Sequence, residues 1–473
     1  MNAGLSIAVS GLNAERTAID VTSENIANSQ TAGYVAQSVQ LAALPGGDTL
    51  GVGDGVQVTS VAQASNALLS ANNGQAQGSL SNLSALQQVL TGIQNVFPLG
   101  QSASTSSTTA STNSSIAGQL SNFWSAWDAV AQNPSTPAPR TEIVDMAQGL
   151  ATTFQEASTQ LGQLASNTSS EIGSQIGQVN SLLGQAASLN QSIVETSGGG
   201  QSPNQLSDQL NNVLGQLSSL AGVSVRMQQD GTAQVAIGGV TIVQGSQFST
   251  LATQTSAGQT SVVASPGSVA VPVSSGSLAG LLAGVNQYIP QYQSELDGVA
   301  SSLATTVNTQ LAAGWTAGSA GPPVVAPAPG GPLFTSSSGG AVTASSIQVN
   351  PAIVTNPALI AAAGPNAGNT GPIGTNDGSN AQALAELGTA PTGPDLAYQN
   401  LVEGIGANTQ YANTQVASQT AVANQAQQAL QSVSGVNQDT QLTALMQYQA
   451  NYQASAKLVT VIDATMQSLL AAV

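Results

Sequence analysis

The two ends of the chain carry the same narrow apolar repeat, and this shared repeat restricts the possible folds more than any other feature. Near the start, an apolar residue recurs every seventh position: Leu5, Leu12, Ile19 and Ile26. Near the end, the spacing alternates between three and four and is broken only by Ser455: Leu445, Tyr448, Tyr452, Ser455, Val459, Ile462, Met466 and Leu469. This spacing is typical of a coiled-coil seam. We therefore predict two terminal helices that can pair with each other.

Such helices have a consequence for the free chain. A helix with a narrow apolar seam cannot bury that seam alone, and isolated helices are marginal in water. We expect the two ends to be frayed in a free monomer and ordered by assembly.

After the first helix, Asn25, Asn28 and Gly33 are interpreted as a helix terminator and turn, because Asn and Gly tolerate a left-handed backbone. An ordinary helix cap is the alternative. The residues from Tyr34 to Leu44 predict an extended arm, followed by a Gly-rich segment, and helix is expected to resume near Ala62 and to end before Pro98.

The middle of the chain predicts a helical bundle. A Ser/Thr run at 100–115 is expected to be a loop, and 116–130 is expected to be a helix anchored in a core by Leu120, Phe123, Trp124 and Trp127. Residues 141–196 predict one very long helix or a broken pair, and 206–220 a shorter helix.

The apolar period changes to two around Asp230-Gly231, which predicts a β-hairpin in a small β element that extends to about Val273. Helix is expected again over 277–313, followed by an exposed Gly/Pro/Ala-rich loop. Residues 341–363 predict a short strand and a short helix. From about Ala381 the chain is expected to be helical almost to its end, with an interruption at Gly435.

Composition excludes much chemistry. The 473 residues contain no Cys and no His, which excludes a Cys/His metal site, a Ser-His-Asp triad and a Cys nucleophile. Carboxylate pairs remain, and Glu142 with Asp145 and Glu295 with Asp297 come nearest. Each is interpreted more simply as a solvated helix face. We therefore expect no enzyme activity, no metal and no cofactor.

Charge also restricts the partners. The chain has 21 acidic residues and four cationic ones, namely Arg16, Arg140, Arg226 and Lys457. The resulting formal net charge of -17 disfavours binding to nucleic acid. Uncharged Ser, Gln, Asn and Thr suit packing against copies of the chain, although an ordinary acidic soluble protein fits the composition equally well. The sequence indicates neither a membrane span nor a cleavable signal peptide, so we expect no membrane association and, if the chain is exported, export by another route.

The segment SGLNAERTAIDVTSENIANSQTAGY resembles the N-terminal signature of flagellar axial proteins, in the Ser10-Gly11-Leu12-Asn13-Ala14 run, Asn25-Ile26-Ala27-Asn28, Thr31 and Gly33-Tyr34. Residues 432–470 resemble the C-terminal helix of this class. Here Ser434-Gly435-Val436-Asn437 is similar to the version in the hook-associated protein 1 family, and the helical middle and its hairpin agree. Val35 stands where that family usually has Arg or Lys.

The resemblance implies a structural subunit of the extracellular bacterial flagellum that joins hook to filament. It implies copies in a ring, the hook protein, the second junction protein (hook-associated protein 3) and an export chaperone on the C-terminal helix as partners. We expect the assembly interface at the eleven seam residues of the two ends that remain when Ser455 is left out, and at Asn25, Asn28, Gly33, Tyr34 and Gly435. Another axial protein, of the hook or distal rod, and an unrelated secreted coiled-coil adhesin are the alternatives.

We expect a mainly α fold with a smaller β portion, in which terminal coiled-coil helices flank a long-helix bundle with an inserted β-hairpin element. The expected units are a first helix with its arm (1–60), a helical bundle (61–222), a small β element (223–275), a helix returning to the bundle (276–313), a loop-rich segment or reduced outer domain (314–390) and the C-terminal helices (391–473).

Overall fold

The computed structural model describes residues 2–31, 33–45, 53–98, 115–199, 202–316 and 326–471. Over these residues the fold is mainly α with a smaller β portion, as predicted. The helices are α1 (Asn2–Ala27), α2 (Ala67–Val96), α3 (Ile116–Gln132), α4 (Pro137–Gly198), α5 (Asn204–Ala221), α6 (Ser277–Ala283), α7 (Ile289–Ala313), α8 (Pro351–Thr355), α9 (Ser379–Glu386), α10 (Pro394–Ser434) and α11 (Gln438–Ala471). The Ser/Thr run predicted as a loop lies outside the described residues, except for Ser115.

The strands form four antiparallel sheets. They are β1 (Gln37–Leu44), β2 (Gly55–Gln63), β3 (Val223–Met227), β4 (Ala233–Ile237), β5 (Val240–Gln244), β6 (Gln247–Phe248), β7 (Thr250–Ser256), β8 (Gln259–Ser265), β9 (Val269–Val271), β10 (Phe334–Ser336) and β11 (Ile347–Val349). Strand β1 pairs with β2 and β10 with β11, while β3-β4-β5-β6 and β7-β8-β9 form two larger sheets.

We call the part of the chain between β2 and α11 the body, and its core forms around α3 and α4. The predicted anchor is confirmed: Phe123 and Trp127 are fully buried, and the ring of Phe123 meets Trp124, Trp127 and Phe334 with centroids 5.0, 6.0 and 5.7 Å apart. Helix α4 is one continuous helix of 62 residues, about 93 Å long at 1.5 Å per residue. Its apolar residues recur every three or four positions, so one face packs against α3, α5 and α7 along its length.

The predicted hairpin is present as β3 and β4, with Gly231 at a positive φ of 82° and the Asp230 carboxylate accepting from the Thr232 N–H and hydroxyl. The small β element expected over 223–275 holds further strands beside the hairpin, because seven short strands follow one another between Val223 and Val271. Such short strands carry little alternation of their own and are fixed by neighbours and by α4.

Neutral amide side chains dock these strands onto the helices. Asn180, Asn190 and Asn286 each donate to the carbonyl and accept from the N–H of a single strand residue, namely Leu251, Ala233 and Thr260 respectively, at 2.7–2.9 Å. An amide group satisfies the exposed backbone of a strand as a neighbouring strand would. These three docking contacts are therefore neutral hydrogen bonds that require no buried charge.

Two predicted boundaries are wrong. Helix does not resume near Ala62, because β2 continues to Gln63 and the Asn66 side chain caps α2 by accepting from the N–H groups of Leu68 and Leu69. The C-terminal helices also have a second interruption, before Pro394. A proline lacks an N–H group and is tolerated in the first turn of a helix, where it starts α10.

Helix α10 positions the end of the chain. It packs antiparallel along α2, with Gln87 donating to Asn413 at 2.6 Å and Gln77 donating to Gln427 at 3.4 Å. It therefore runs along the body and delivers α11 to the place where α1 ends.

Candidate assembly interface

Helices α1 and α11 lie side by side and antiparallel, and we call them the terminal pair. As the residue numbers rise along α1, the numbers of the contacting residues on α11 fall. In order along α1, these contacts are Gly4 with Ile462, Gly11 with Ser455, Glu15 with Asn451, Asn25 with Gln441 and Ser29 with Gln438. A Cβ atom on Gly11 would lie 3.3 Å from the Ser455 hydroxyl oxygen. The serine that interrupts the predicted seam therefore stands where the two backbones approach closely.

The predicted seam residues are only partly buried. On α11, Leu445, Tyr448, Val459 and Ile462 are half-buried, as are Leu12, Ile19 and Ile26 on α1. Leu5, Tyr452 and Met466 lie at the exposed edge, and the side chain of Leu469 is outside the described set. The buried residues of α1 are instead small or polar ones: Ala8, Ala14, Ala18, Val21, Thr22 and Asn25. With Gly11 between the first two, the small residues Ala8, Ala14, Ala18 and Val21 follow one another every three or four positions, a pattern that the spacing of large apolar side chains does not show.

A β-hairpin covers another side of α1. The predicted extended arm is strand β1, and the Gly-rich segment leads into β2, which pairs with it. The Ser10 hydroxyl accepts from the Val56 N–H at 3.2 Å. Gly55 has a φ of 116° and lies against α1: a Cβ atom on it would collide with the Ser10 hydroxyl and lie 3.2 Å from the Ile7 Cα. Small residues on α1 are thus enclosed between α11 and this hairpin.

Asn25 ties these elements together. Its side chain is 1% exposed, and its amide donates to the Gln37 carbonyl at 2.8 Å and to the Gln441 side chain at 3.1 Å. Its oxygen accepts from the Gln37 N–H and from the Tyr34 hydroxyl, both at 2.9 Å. All the usual hydrogen-bonding capacity of an amide is therefore used.

Asn28 and Gly33, which the sequence predicts to be part of a turn, form the turn after α1. Asn28 bonds the Glu24 carbonyl through its side chain and accepts from Thr31, and Gly33 has a φ of 80°. The interpretation is wrong for Asn25, which lies inside α1 rather than at its end. Its partners lie 9 to 416 positions away, so its role depends on the tertiary structure.

Gly435 lies between α10 and α11 with an extended backbone. Its N–H donates to the Gln431 carbonyl at 2.8 Å, and a Cβ on it would collide with that carbonyl oxygen. The adjacent Ser434 carbonyl accepts from the Ala36 N–H at 2.9 Å. The break between the helices is therefore bound to the segment that follows α1.

A continuous set of hydrogen-bonded residues links the terminal pair to α5 of the body, through side chains and, at Gln37 and Asn204, also through the backbone. We call it the joint network: Gln441, Asn25, Gln37, Asn204, Gln63 and Asp208. Beyond Asn25, the Asn204 amide donates to the Gln37 side chain at 3.0 Å. The Gln63 amide then donates to the Asn204 carbonyl at 3.0 Å and to the Asp208 carboxylate at 2.8 Å. Five of its six side chains are neutral amides.

The network ends at a cavity of about 260 Å³ whose lining includes Glu24, Tyr34 and Asp208. Burial raises the pKa of Asp208 to about 6, against the opposing hydrogen bond from Gln63 and with a smaller contribution from Glu24. Burial, Glu24 and Asp208 together raise the pKa of Tyr34 to about 12. Tyr34 therefore keeps its proton at neutral pH and can donate to Asn25.

The flanks and back of α11 carry exposed apolar side chains that were not predicted. They form what we call the outer apolar set: Leu442, Met446, Leu458, Val461 and Leu470. Met446 is 64% and Leu470 76% exposed. At about 100° per residue these positions fall away from the middle of the seam. Helix α11 therefore meets α1 on one face and has no apolar partner for the others within the described residues.

The candidate carboxylate pairs lie on helix surfaces. Glu142 and Asp145 are exposed, and the Asp297 carboxylate accepts from the Ala344 N–H at 2.8 Å. Over the described ranges, no group of three or more Cys, His, Asp or Glu side chains is placed to hold a metal ion. In the same ranges, no helix is long and apolar enough to cross a membrane.

Comparison with known families identifies similarity in three segments. Residues 103–325 match the flagellar hook-associated protein FlgK helical domain, 5–34 the flagella basal body rod protein family, and 426–472 the C-terminal family of the flagellar basal body rod FlgEFG proteins. The two rod families cover the terminal pair, and the helical domain covers most of the body.

Flagellar hook-associated protein 1 of Salmonella typhimurium is 30% identical over 67% of this chain, and that of Bacillus subtilis is 26% identical over 99% of this chain and 97% of its own length. The chain spans 58% of the length of the Salmonella relative and of the Escherichia coli one. The flagellar hook junction protein FlgK from Burkholderia pseudomallei has the same fold, with a TM-score of 0.63 over 77% of this chain and all of that one, at 21% identity.

Proposed function

We propose, because the chain belongs to the flagellar hook-associated protein 1 family, that it is a structural subunit that joins the flagellar hook to the filament and polymerises through its terminal helices. The observation that carries this proposal is the outer apolar set on α11. Its side chains are exposed although the seam of the same helix already has α1 as a partner. Apolar groups on the flanks of a long helix gain stability only when neighbouring chains cover them.

Neighbouring copies fit this surface chemically. Between Glu403 and Asp439 no residue is charged, and α11 itself carries only Asp439, Lys457 and Asp463. Contacts through such faces therefore remove little charge from water. When one face of a subunit binds a different face of the next identical subunit, each added subunit still has a free face. Subunits can therefore continue to stack in a helical lattice.

The partners we propose are copies of the chain in a ring, the hook protein, hook-associated protein 3 and an export chaperone that covers the C-terminal helix. The site of action is the extracellular flagellum, reached without a cleavable signal peptide. We propose no enzyme activity, no cofactor, and no binding of nucleic acid or membrane. The seam residues, with Asn25, Asn28, Gly33, Tyr34 and Gly435, are the proposed assembly interface, and the outer apolar set extends it.

The experiment is complementation in the native host after deletion of the gene for this chain. Restoring the gene is expected to return attached filaments and motility, whereas cells without it secrete flagellin monomers. The double variant Met446→Gln with Val461→Gln is expected to be secreted but to leave filaments unattached. The matched control is Ile373→Gln, which alters a residue 63% exposed on the body and should restore attachment.

Two outcomes contradict the proposal. If the deletion strain lacks a hook or a distal rod instead of attached filaments, the chain is the alternative axial protein. If the double variant attaches filaments as well as the control does, the outer apolar set is not an assembly surface.

A further inference from the structure

The joint network, where the terminal pair meets the body, contains one ionisable side chain among five neutral amides. In the joint network, Asp208 of α5 is the only side chain that can carry charge, and it accepts from Gln63 at the end of β2. Gln63 and Asn204 connect it in turn to Gln37, Asn25 and Gln441. The charge state of Asp208 thus bears directly on the contact between body and hairpin.

The surroundings of Asp208 disfavour a charge. From α1, Glu24 lines the same cavity, and from the turn after α1 comes the hydroxyl of Tyr34. Strands β1 and β2 bring Gln37 and Gln63, and α5 itself brings Gln205, Gln209 and Asn212, all neutral. No cation lines the cavity as described. An ionised Asp208 therefore lies partly out of water beside a second carboxylate, compensated only by hydrogen bonds.

We propose that this contact is a proton-dependent joint, in which protonated Asp208 holds the terminal pair firmly against the body and ionised Asp208 loosens that hold. The joint acts within a single chain. It does not require assembly, so its test and the test of the proposed function can fail separately.

The direction follows from linkage. The pKa of Asp208 is raised in the folded joint, so the proton is bound more tightly there than in an opened joint, where the carboxyl returns toward its ordinary value. The contribution to stability is fully present below that ordinary value and is lost as pH rises through about 6. The joint is therefore tighter in mild acid than at neutral or alkaline pH.

The absence of cysteine makes the motion measurable. Spin labels on two introduced cysteines, Gln449→Cys on α11 and Asn211→Cys on α5, report the distance between the terminal pair and the body. Both positions are exposed. We expect one narrow distance distribution at about pH 5 and a broader one at about pH 8.

Hydrogen exchange is a second measurement of the same joint. After correction for the intrinsic exchange rate, the backbone amides of residues 35–37 should exchange about tenfold more slowly at the lower pH. The expected ratio is smaller than the full effect of the raised pKa because Asp208 is partly exposed.

Asp208→Asn keeps the shape and removes the charge, so it should give the narrow distribution and slow exchange at both pH values. Glu24→Gln should retain the transition but move it to lower pH, because it removes the neighbouring carboxylate. Glu171→Gln, on the exposed face of α4, is the matched control and should behave like the wild type. Circular dichroism confirms that each variant is folded.

Equal distance distributions at both pH values in the wild type would overturn the proposal. So would a pH-dependent broadening that persists unchanged in Asp208→Asn, because the titrating group would then lie elsewhere.

Discussion

The terminal pair and the body are both made of long helices with few charges, but they are buried in different ways. In the body, α3 and α4 enclose aromatic rings that are fully buried, and α4 is covered along its apolar face. In the terminal pair, the large apolar residues are half-buried or exposed, and the buried positions are small or polar residues of α1, namely Ala8, Ala14, Ala18, Val21, Thr22 and Asn25. The body therefore completes its core within one chain, whereas the terminal pair leaves surface for another chain to cover.

Their polar contacts differ as well. In the body, Asn180, Asn190 and Asn286 each hold one strand locally. In the joint network, the hydrogen-bonded residues run from α11 to α5 and so connect the terminal pair to the body. Loss of a core side chain should therefore destabilise the whole body, whereas loss of a joint residue should loosen the terminal pair and leave the body folded.

The largest effect is expected for Trp127→Ala in the body. Removing a fully buried ring from packing against Phe123 should lower the free energy of unfolding by about 3–5 kcal/mol. Chemical denaturation followed by circular dichroism measures the change. Tyr411→Ala, at a position 65% exposed, is the control and should change stability by less than about 1 kcal/mol. A similar loss in both variants would contradict the contrast between core and surface.

A smaller and local effect is expected for Asn25→Ala. The change leaves the N–H and carbonyl of Gln37 without their partners, which should cost about 2–3 kcal/mol. Hydrogen exchange should accelerate in α1, the hairpin and the start of α11, while α3 and α4 keep their protection. Asn13→Ala, exposed on the same helix, should leave exchange unchanged. Uniform acceleration across the body would show that the joint is not local.

The close approach of the terminal pair is tested by Gly11→Leu. Its side chain would enter the space occupied by Ser455, so the pairing of α1 with α11 should weaken by about 1–3 kcal/mol. The yield of a disulfide between cysteines introduced at Glu15 and Asn451 reports the pairing. Gly162→Leu on α4, where an added Cβ meets no atom within 4 Å, is the control. Full cross-linking in Gly11→Leu would contradict the close contact.

The smallest effect on the fold is expected for the double variant Met446→Gln with Val461→Gln. Both side chains are already in water, so the unfolding free energy should change by about 0.5 kcal/mol or less. The same variant should abolish assembly, which sedimentation of the purified chain with the proposed axial partners can follow. Loss of stability comparable to that of Asn25→Ala would mean that these side chains are covered within the monomer.

The sequence predicts ends that are frayed in the free monomer, whereas the structure pairs α1 with α11 within one chain, and one deletion decides between these two states. If the ends are frayed, removing residues 1–40 and 435–473 leaves the helix content per residue by circular dichroism nearly unchanged or higher. A sharp fall would show that the terminal pair is already folded without assembly.

Parts of the fold could be read from local spacing. The helix with Leu120, Phe123 and Trp127 and the turn at Asp230-Gly231 depend on neighbours within a few residues, and both were correctly predicted. The start of α2 was misplaced, because strand β2 continues where a helix was also plausible and is fixed by pairing with β1. Buried amides such as Asn190 gave no signal, because Asn is common in loops and its strand partner is distant in sequence.

The interface likewise has features that the sequence shows and features that only the tertiary structure shows. The apolar seam was visible because periodicity identifies one face of a helix. The enclosed alanines and the outer apolar set required knowledge of what lies on each side of α1 and α11. For Asn25 the sequence predicts only a local role in a turn, because it shows the neighbours of this residue in the chain and not Gln441, 416 positions away.

The sequence by itself determined the positions of the long helices, the absence of imidazole and thiol chemistry and the resemblance to the flagellar family, because these follow from residue type and short-range spacing. Only the tertiary structure decided that α1 pairs antiparallel with α11, that Asn25 joins them to the hairpin and that Asp208 lies beside Glu24 with a raised pKa. The reason is that burial and hydrogen bonding depend on contacts between distant segments, which form only when the whole chain packs.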